Sequence, residues 1–255
     1  MRTNHVKKAL ENGETVFGTM VVESRSPSMA QLFATAGFDF MFIDTEHSSY
    51  GIETVADMIW ASKASDICPI VRVTELDYPF IARTLDLGAG GLMVPRRKTP
   101  EEAKEMVQYA KYPPMGERGL STSPGGHTDF KTYDLPEFME GSNDNTLLVF
   151  QVETAEAIEN IEDIVAVPGI DVAMIGPNDL SKSLGVVGEL DHPKVQNAID
   201  KVIDACEKHD VAAGLHSGNI EMLQDVMERG MRFITWTTDA RILVNSSRDA
   251  LSKLK

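Results

Sequence analysis

The sequence predicts a single-domain α/β protein with a (β/α)₈ barrel fold. A short apolar strand followed by an amphipathic helix recurs eight times along the chain. Several strands are near-continuous apolar runs such as Leu147-Leu148-Val149-Phe150, as expected of parallel strands buried on both faces. The 255 residues match the length of one such barrel, and no linker divides residues 1–255 into two domains. No Gly-x-Gly-x-x-Gly opens a helix, which disfavours a dinucleotide-binding doubly wound sheet.

The eight strands follow from these apolar runs. In chain order they are Thr15–Val22, Phe38–Ile43, Cys68–Val73, Gly91–Pro95, Thr146–Val152, Asp171–Ile175, Val211–Leu215 and Arg232–Trp236. Four glycines stand where a helix or turn should close before a strand, a position that favours positive φ; they are Gly37, Gly88, Gly169 and Gly230.

Helix starts and one long connection complete the prediction. Ser26 and Pro27 read as an N-cap and a first-turn proline, and Thr99 with Glu102 has the spacing of a capping box. Residues Tyr112–Asn145 form the one long irregular stretch. A loop of that length is usually a lid or an interface element, and we predict that it belongs to the C-terminal face of the barrel.

Composition excludes several classes of protein. The formal net charge of −15 disfavours nucleic-acid binding but leaves anionic small molecules open, because a local cation can reverse the field of a cleft. With only Cys68 and Cys206, a disulfide framework or a cysteine zinc site is not expected. Residues Met1–Gly13 lack a signal-peptide core, and no apolar stretch reaches the ~20 residues of a membrane span. We therefore expect a soluble cytoplasmic protein.

Two carboxylates are candidate metal ligands. In a (β/α)₈ barrel the active site lies at the C-terminal ends of the strands. Glu153 follows the fifth strand and Asp179 follows the sixth, so both should reach that rim. Two carboxylates, with the other positions left to water and substrate, suit Mg²⁺ or Mn²⁺. The alternative is that each acid only caps the helix after it. The turn Gly176–Ser181 offers free backbone N–H groups that suit a substrate carboxylate.

Arg72 and His47 are candidate catalytic residues at the same rim. Arg72 ends the third strand, where it can donate to an oxygen that becomes negative in a transition state; the alternative is an ion pair with Asp44 or Glu46. His47 is the best general-base candidate because its ordinary pKa lies near working pH.

Other polar residues of the predicted loops and strand ends are open to more than one role. Arg96 and Arg97 follow the fourth strand, where either could bind a substrate carboxylate; the alternative is a solvent-facing pair. His216 ends the seventh strand, and His127 lies in the long connection. The sequence assigns no role to these two histidines.

Several stretches together resemble one family. They are residues 36–40, 43–47, 71–72, 85–89, 112–114, 116–119, 151–154 and 176–181. Spread in order over nearly the whole chain, they resemble the HpcH/HpaI aldolase/citrate lyase family, specifically its short, metal-dependent pyruvate aldolases.

The resemblance implies a barrel that assembles as a hexamer and exchanges its last helix between subunits. It implies a divalent metal, Mg²⁺ or Mn²⁺ with Co²⁺ also possible, on Glu153 and Asp179. Arg72 would steady an enolate oxygen, and His47 would be the base, made more basic by Asp86. Asp86 sits near a helix C-terminus, which should lie away from the mouth of its own barrel. We therefore expect Asp86 to act across a subunit interface.

The remaining implied contacts are to substrate. Gln151 and the backbone near Asn178 would contact the 2-oxo acid. Two stretches depart from the family pattern: Val94-Pro95-Arg96-Arg97 replaces Val-Pro-Met-Val, and Leu120–His127 replaces a small-residue run. The prediction is that both border the substrate and that the departures affect the aldehyde partner.

The predicted reaction is reversible cleavage of a 4-hydroxy-2-oxo acid to pyruvate and an aldehyde through a metal-bound enolate. This would make the protein a carbon–carbon lyase acting on small molecules, with no nucleic-acid or membrane partner. The alternatives are another metal-enolate lyase, such as a 2-oxo acid decarboxylase or a CoA-ester lyase, or a non-catalytic 2-oxo acid binding protein. A general base at His47 argues against the binding protein, because binding alone does not need one.

Overall fold

The computed structural model describes residues 2–255 and confirms the predicted barrel. Eight parallel strands pair in chain order, and β8 closes on β1. The strands are β1 Val16–Val21, β2 Phe40–Asp44, β3 Cys68–Arg72, β4 Gly91–Val94, β5 Leu147–Val152, β6 Val172–Ile175, β7 Ala212–Ser217 and β8 Phe233–Thr238. Each predicted strand is present, with its ends shifted by at most two residues.

The helices surround the barrel. They are α1 His5–Glu11, α2 Ser28–Ala36, α3 Ile52–Ala64, α4 Tyr78–Asp86, α5 Pro100–Ala110, α6 Leu135–Asn145, α7 Ala155–Glu159, α8 Ile161–Val165, α9 Pro177–Ser183, α10 Pro193–Lys208, α11 Ile220–Glu228 and α12 Asp239–Leu254. No helix among residues 2–255 combines the length and apolar character needed to cross a membrane.

Aromatic side chains fill the N-terminal half of the barrel interior. The rings of Phe40 and Phe233 stack with centroids 4.4 Å apart, and Phe42 meets both edge-on. Gly18 makes room for them, since a Cβ atom there would lie 2.1 Å from the Phe40 ring. Because this end is packed with side chains, polar groups can gather only at the opposite, C-terminal mouth.

The predicted helix boundaries are mostly confirmed. Thr99 and Glu102 form the capping box at the start of α5. The helix predicted at Ser26 and Pro27 instead begins at Ser28, with Pro27 as an N-cap that makes no side-chain hydrogen bond. Pro27 has αR dihedrals with φ −57°, and Ser26 Oγ still accepts the backbone N–H of Ser28 at 3.3 Å, so both predicted residues contribute to the helix start. All four predicted glycines have positive φ, between 94° and 110°.

The long connection Tyr112–Asn145 corrects two predictions. It is not wholly irregular, because it contains α6 and a 3₁₀ turn at Gly126–Thr128. It also lies at the N-terminal face, not the C-terminal face. It joins the end of α5 to the start of β5, and Lys63 at the end of α3 donates to the Gly126 carbonyl at 2.7 Å. A helix-to-strand connection must return to the end of the barrel where strands begin, which places it there.

A buried lysine anchors this connection and makes stability depend on pH. Lys111 Nζ donates to the carbonyls of Asn143 and Thr146, both at 2.6 Å. Burial lowers the pKa of Lys111 to about 7, although Asp171 acts in the opposite direction. In the unfolded chain the pKa returns to about 10.4. Between these values the unfolded state binds more protons, so the stability contributed by Lys111 rises with pH and is lowest below about pH 7.

We expect this dependence to disappear in Lys111→Met, which cannot titrate. The free energy of unfolding of the wild type, minus that of the variant, should rise by about 1–3 kcal/mol from pH 7 to pH 9.5. Urea unfolding at four pH values measures it. Parallel pH profiles for the two proteins would show that Lys111 keeps its ordinary pKa in the folded state.

Candidate active site

Six charged residues gather at the C-terminal mouth. Asp44 and Arg72 end β2 and β3 and are register partners, and Glu153 directly follows β5. Asp179 lies in the first turn of α9. We call the full set the mouth cluster: Asp44, Glu46, Arg72, Arg96, Glu153 and Asp179.

Arg72 makes the ion pairs that were the alternative to a catalytic role. Its Nε and Nη2 atoms donate to the two carboxylate oxygens of Asp44 at 2.8 and 2.6 Å. Its Nη1 atom lies 3.5 Å from Glu46 Oε2. The bidentate pair holds the guanidinium plane rigidly. Because Nε and Nη2 are occupied by Asp44, Nη1 is the nitrogen from which Arg72 can donate to a substrate oxygen in the mouth.

Glu153 is a buried carboxylate whose close hydrogen-bond partners are neutral. Oε1 accepts the Arg96 backbone N–H at 2.6 Å, and Oε2 accepts Gln151 Nε2 at 2.5 Å. It forms no ion pair with any side chain of residues 2–255. Burial raises its pKa, and the negative charges of Asp179 and Glu46 add to the rise. Gly176 leaves space beside it, because a Cβ atom there would lie 3.1 Å from both Glu153 Oε2 and Gln151 Nε2 and would crowd them.

The predicted substrate-binding residues surround Glu153. Gln151 Oε1 is buried without a hydrogen-bond partner among the described residues, which leaves an acceptor inside the mouth. Asn178 and Asp179 are exposed at the N-terminal end of α9. Among residues 2–255 the one ion-pair partner of Asp179 is Lys182, whose Nζ atom lies 3.9 Å from its Oδ1 atom. The structure therefore places Gln151, Glu153, Asn178 and Asp179 at neighbouring strand ends of the mouth, and their contacts with metal and substrate stay predictions.

His47 stands on the rim beside Glu46. Its side chain is 61% exposed, and Nε2 lies 3.7 Å from Glu46 Oε2. Asp44 Oδ1 accepts the backbone N–H groups of Glu46 and His47, so one carboxylate holds both Arg72 and the turn that carries the histidine. Sequence reasoning named Asp44 and Glu46 only as possible partners of Arg72. The signal that could have found their wider role was two acids directly before His47.

Asp86 is not brought to His47 within one chain. It is the last residue of α4, at the N-terminal face, where its Oδ1 accepts Arg118 Nη2 at 2.5 Å. His127 lies beside it, with Nδ1 3.2 Å from the Asp86 carbonyl. The stretch Leu120–His127 therefore does not border the mouth of its own barrel, and the prediction that it does is wrong for a single chain. A role for Asp86 across a subunit interface stays a prediction.

His216 lies at the mouth as a neutral imidazole. Burial lowers its pKa to about 4, and the cations Arg72 and Arg241 add to the effect. Its Nδ1 atom is buried without a hydrogen-bond partner among the described residues. A neutral ring can both donate and accept a hydrogen bond near neutral pH.

The mouth cluster suits a divalent cation. Its four carboxylates outnumber its two guanidinium groups by two, and Glu46 Oε2, which is 3.5 Å from Arg72 Nη1, is buried without a hydrogen-bond partner among the described residues. Among residues 2–255 no group of three or more His, Cys, Asp or Glu side chains is arranged to hold a metal ion. Two protein carboxylates, Glu153 and Asp179, with oxygen ligands from water and substrate are a pattern that Mg²⁺ and related hard cations accept.

Fold and site together define a (β/α)₈ barrel enzyme with an acidic site at its C-terminal mouth. The profile of the HpcH/HpaI aldolase/citrate lyase family matches residues 19–246. A hydroxypyruvate/pyruvate aldolase of Roseobacter denitrificans is 36% identical, covering 99% of this chain and 97% of that protein. A 4-hydroxy-2-oxo-heptane-1,7-dioate aldolase of Escherichia coli is 33% identical, covering 96% and 92%.

A solved structure supports the same assignment. The HpcH/HpaI aldolase from Desulfitobacterium hafniense superposes with a TM-score of 0.93 at 33% identity, covering 98% of this chain and 96% of that one. The chain belongs to the HpcH/HpaI aldolase/citrate lyase family. Its relatives are aldolases, which are carbon–carbon lyases, so the predicted family, fold and class of enzyme are confirmed.

Proposed function

We propose that this protein is a divalent-metal-dependent aldolase that reversibly cleaves a 4-hydroxy-2-oxo acid to pyruvate and an aldehyde. Its family is one of metal-dependent aldolases. The observation that carries the proposal is the buried carboxylate of Glu153, which has no cationic side chain as a partner among the described residues and whose pKa is raised further by the negative charges of Asp179 and Glu46. A carboxylate buried in this way needs a cation to remain charged.

Glu153 and Asp179 would hold the metal, and the other residues would handle substrate and proton. A bound divalent cation supplies positive charge beside the keto oxygen of the substrate. Arg72 would donate from Nη1 toward the same oxygen as negative charge develops there. Gln151 would orient the 2-oxo acid. His47 would take the C4 hydroxyl proton, directly or through water, as the C3–C4 bond breaks and C4 becomes the carbonyl carbon of the aldehyde. The electron pair of that bond would pass to the enolate of pyruvate, which takes up a proton at C3 to give pyruvate.

The test is pyruvate release from a panel of 4-hydroxy-2-oxo acids. Turnover should appear with added Mg²⁺ or Mn²⁺ and disappear after chelation. Pyruvate release that is unaffected by chelation would overturn the metal dependence. Failure to release pyruvate from every member of the panel, with either metal, would overturn the reaction.

We also propose a homohexamer in which α12 is exchanged between subunits. Support comes from α12 itself, whose side chains Leu243, Val244, Leu251 and Leu254 are exposed in the single chain. Such an apolar helix face is unfavourable in water unless a partner covers it. An assembly of this kind could also bring Asp86 to a neighbouring mouth. A cytoplasmic location and a preference for Mg²⁺ or Mn²⁺ belong to the same proposal.

A further inference from the structure

We propose that Arg96 determines substrate specificity by binding a distal carboxylate of the substrate, so that the preferred substrates are 2-oxo diacids cleaved to a carboxylated aldehyde. This inference rests on the proposed aldolase function and concerns the same site. Sequence alone left Arg96 and Arg97 as equal candidates.

The backbone of Arg96 is fixed against the proposed metal site. Arg96 has φ 61°, a left-handed conformation that is uncommon for residues other than glycine. Its N–H donates to Glu153 Oε1 at 2.6 Å, a charge-assisted bond that holds the residue in this conformation. Strained backbone that persists at a functional site usually serves to place a group there. Here it places the start of the Arg96 side chain directly beside Glu153.

The guanidinium of Arg96 lies over the mouth, and part of its hydrogen-bonding capacity is unused. Nε and Nη2 both donate to Glu46 Oε1, at 2.8 and 2.5 Å. Nη1 donates to no described residue, and the side chain is 63% exposed. Glu46 is its opposite, with a side chain only 5% exposed. The buried Glu46 thus holds the Nε–Nη2 edge of the exposed Arg96 guanidinium. The other edge, which includes Nη1, is free to bind an anion bidentately.

Arg97 is directed away from the mouth. Its Nη1 donates to Glu102 on α5 at 3.1 Å, and its Nε donates to the Pro95 carbonyl at 3.0 Å. Glu102 is the capping-box acid of that helix, so Arg97 is part of the helix start. The two arginines are neighbours in sequence with opposite surroundings. Arg97 is therefore a matched control for the loss of one positive charge in this loop.

A carboxylate is the ligand that this arrangement selects. Acids dominate the mouth cluster, so an anionic substrate end is repelled unless it meets an accessible cation. Arg72 does not meet that need, because its guanidinium is buried and paired with Asp44. Arg96 is the exposed cation of the cluster. A neutral aldehyde end would gain little from it.

Direct binding tests the contact without turnover. The ligands are 2-oxo diacids of five to eight carbons and the matching 2-oxo monoacids, which lack the C4 hydroxyl and cannot be cleaved. Calorimetry with Mg²⁺ present should show tighter binding of at least one diacid than of its monoacid in the wild type and in Arg97→Ala. In Arg96→Ala the advantage should fall by about 10- to 100-fold. Arg96→Lys should restore only part of it, because lysine cannot bind bidentately.

Kinetics separates this inference from the proposed reaction. In aldol addition to pyruvate, Arg96→Ala should raise KM for 4-oxobutanoate about 10-fold or more and change KM for butanal by less than about 3-fold. Equal losses on both aldehydes, or no diacid preference in the wild type, would overturn the inference while leaving the aldolase intact. If no aldehyde reacts, the proposed function fails, and the binding ratios alone still decide whether Arg96 recognises a carboxylate.

Discussion

Replacing Glu153 by Gln should reduce kcat/KM for pyruvate release by about 10³-fold or more. The change removes one of the two carboxylates proposed to hold the metal, and metal stabilisation of developing charge contributes several kcal/mol, each 1.36 kcal/mol being about tenfold in rate. The fold should survive. Gln preserves the shape of the side chain and can still accept the Arg96 N–H, and it removes the cost of burying a charge that raises the pKa of Glu153.

Thermal unfolding with and without Mn²⁺ is the second measurement. A metal that binds the folded state raises the Tm of the wild type, and this rise should be absent in Glu153→Gln and reduced in Asp179→Asn. Glu156→Gln is the matched control, since Glu156 lies three residues later, in α7, and is half exposed beside Lys98. An undiminished Mn²⁺ effect on the Tm of Glu153→Gln would remove this residue from the metal site.

Replacing His47 by Ala should lower aldol cleavage by about 10²- to 10⁴-fold, the usual loss for a general base. Removal of the C3 proton of pyruvate should remain within about tenfold of the wild type. The two steps should respond differently because of where the residues lie. Arg72, Glu153 and Gln151 are buried on the inner side of the mouth, where we propose that the 2-oxo acid binds, and His47 stands on the exposed rim, where the C4 hydroxyl would lie.

Deuterium exchange into the pyruvate methyl group, followed by NMR, measures the retained step. His209→Ala is the control, because His209 follows α10 on the outside of the barrel near Glu162. Equal losses of exchange and cleavage in His47→Ala would contradict the division and make His47 a base for both steps. No loss of either would leave the neutral imidazole of His216 as the remaining histidine at the mouth.

Most of the barrel could be predicted because its signals are local. Apolar runs such as Leu147–Val152 and closing glycines such as Gly37 depend on a few consecutive residues. The connection Tyr112–Asn145 could not be predicted in the same way. Glycine and proline interrupt it at nine of its 34 positions, and its helix α6 has few apolar residues, so neither its structure nor its face could be identified from a pattern.

The site likewise has a part that the sequence predicted and a part that only the structure shows. Strand ends indicated that Arg72, Glu153 and Asp179 would share one rim, because the carboxyl ends of parallel strands meet at one edge. The distinction between Arg96 and Arg97 needed coordinates. It depends on Glu46, fifty residues before Arg96, and on Glu102, five residues after Arg97.

The sequence by itself determined the family, the eight-stranded barrel and the rim to which the polar residues come, since periodicity and strand order carry that information. Only the tertiary structure decided which charges pair. In the fold Arg72 pairs with Asp44 and Arg96 pairs with Glu46. Glu153 has no cationic side chain as a partner among the described residues. The fold also places Asp86 on the opposite face with Arg118. The physical reason is that ion pairing depends on distances of a few ångströms between residues far apart in sequence, which no local pattern encodes.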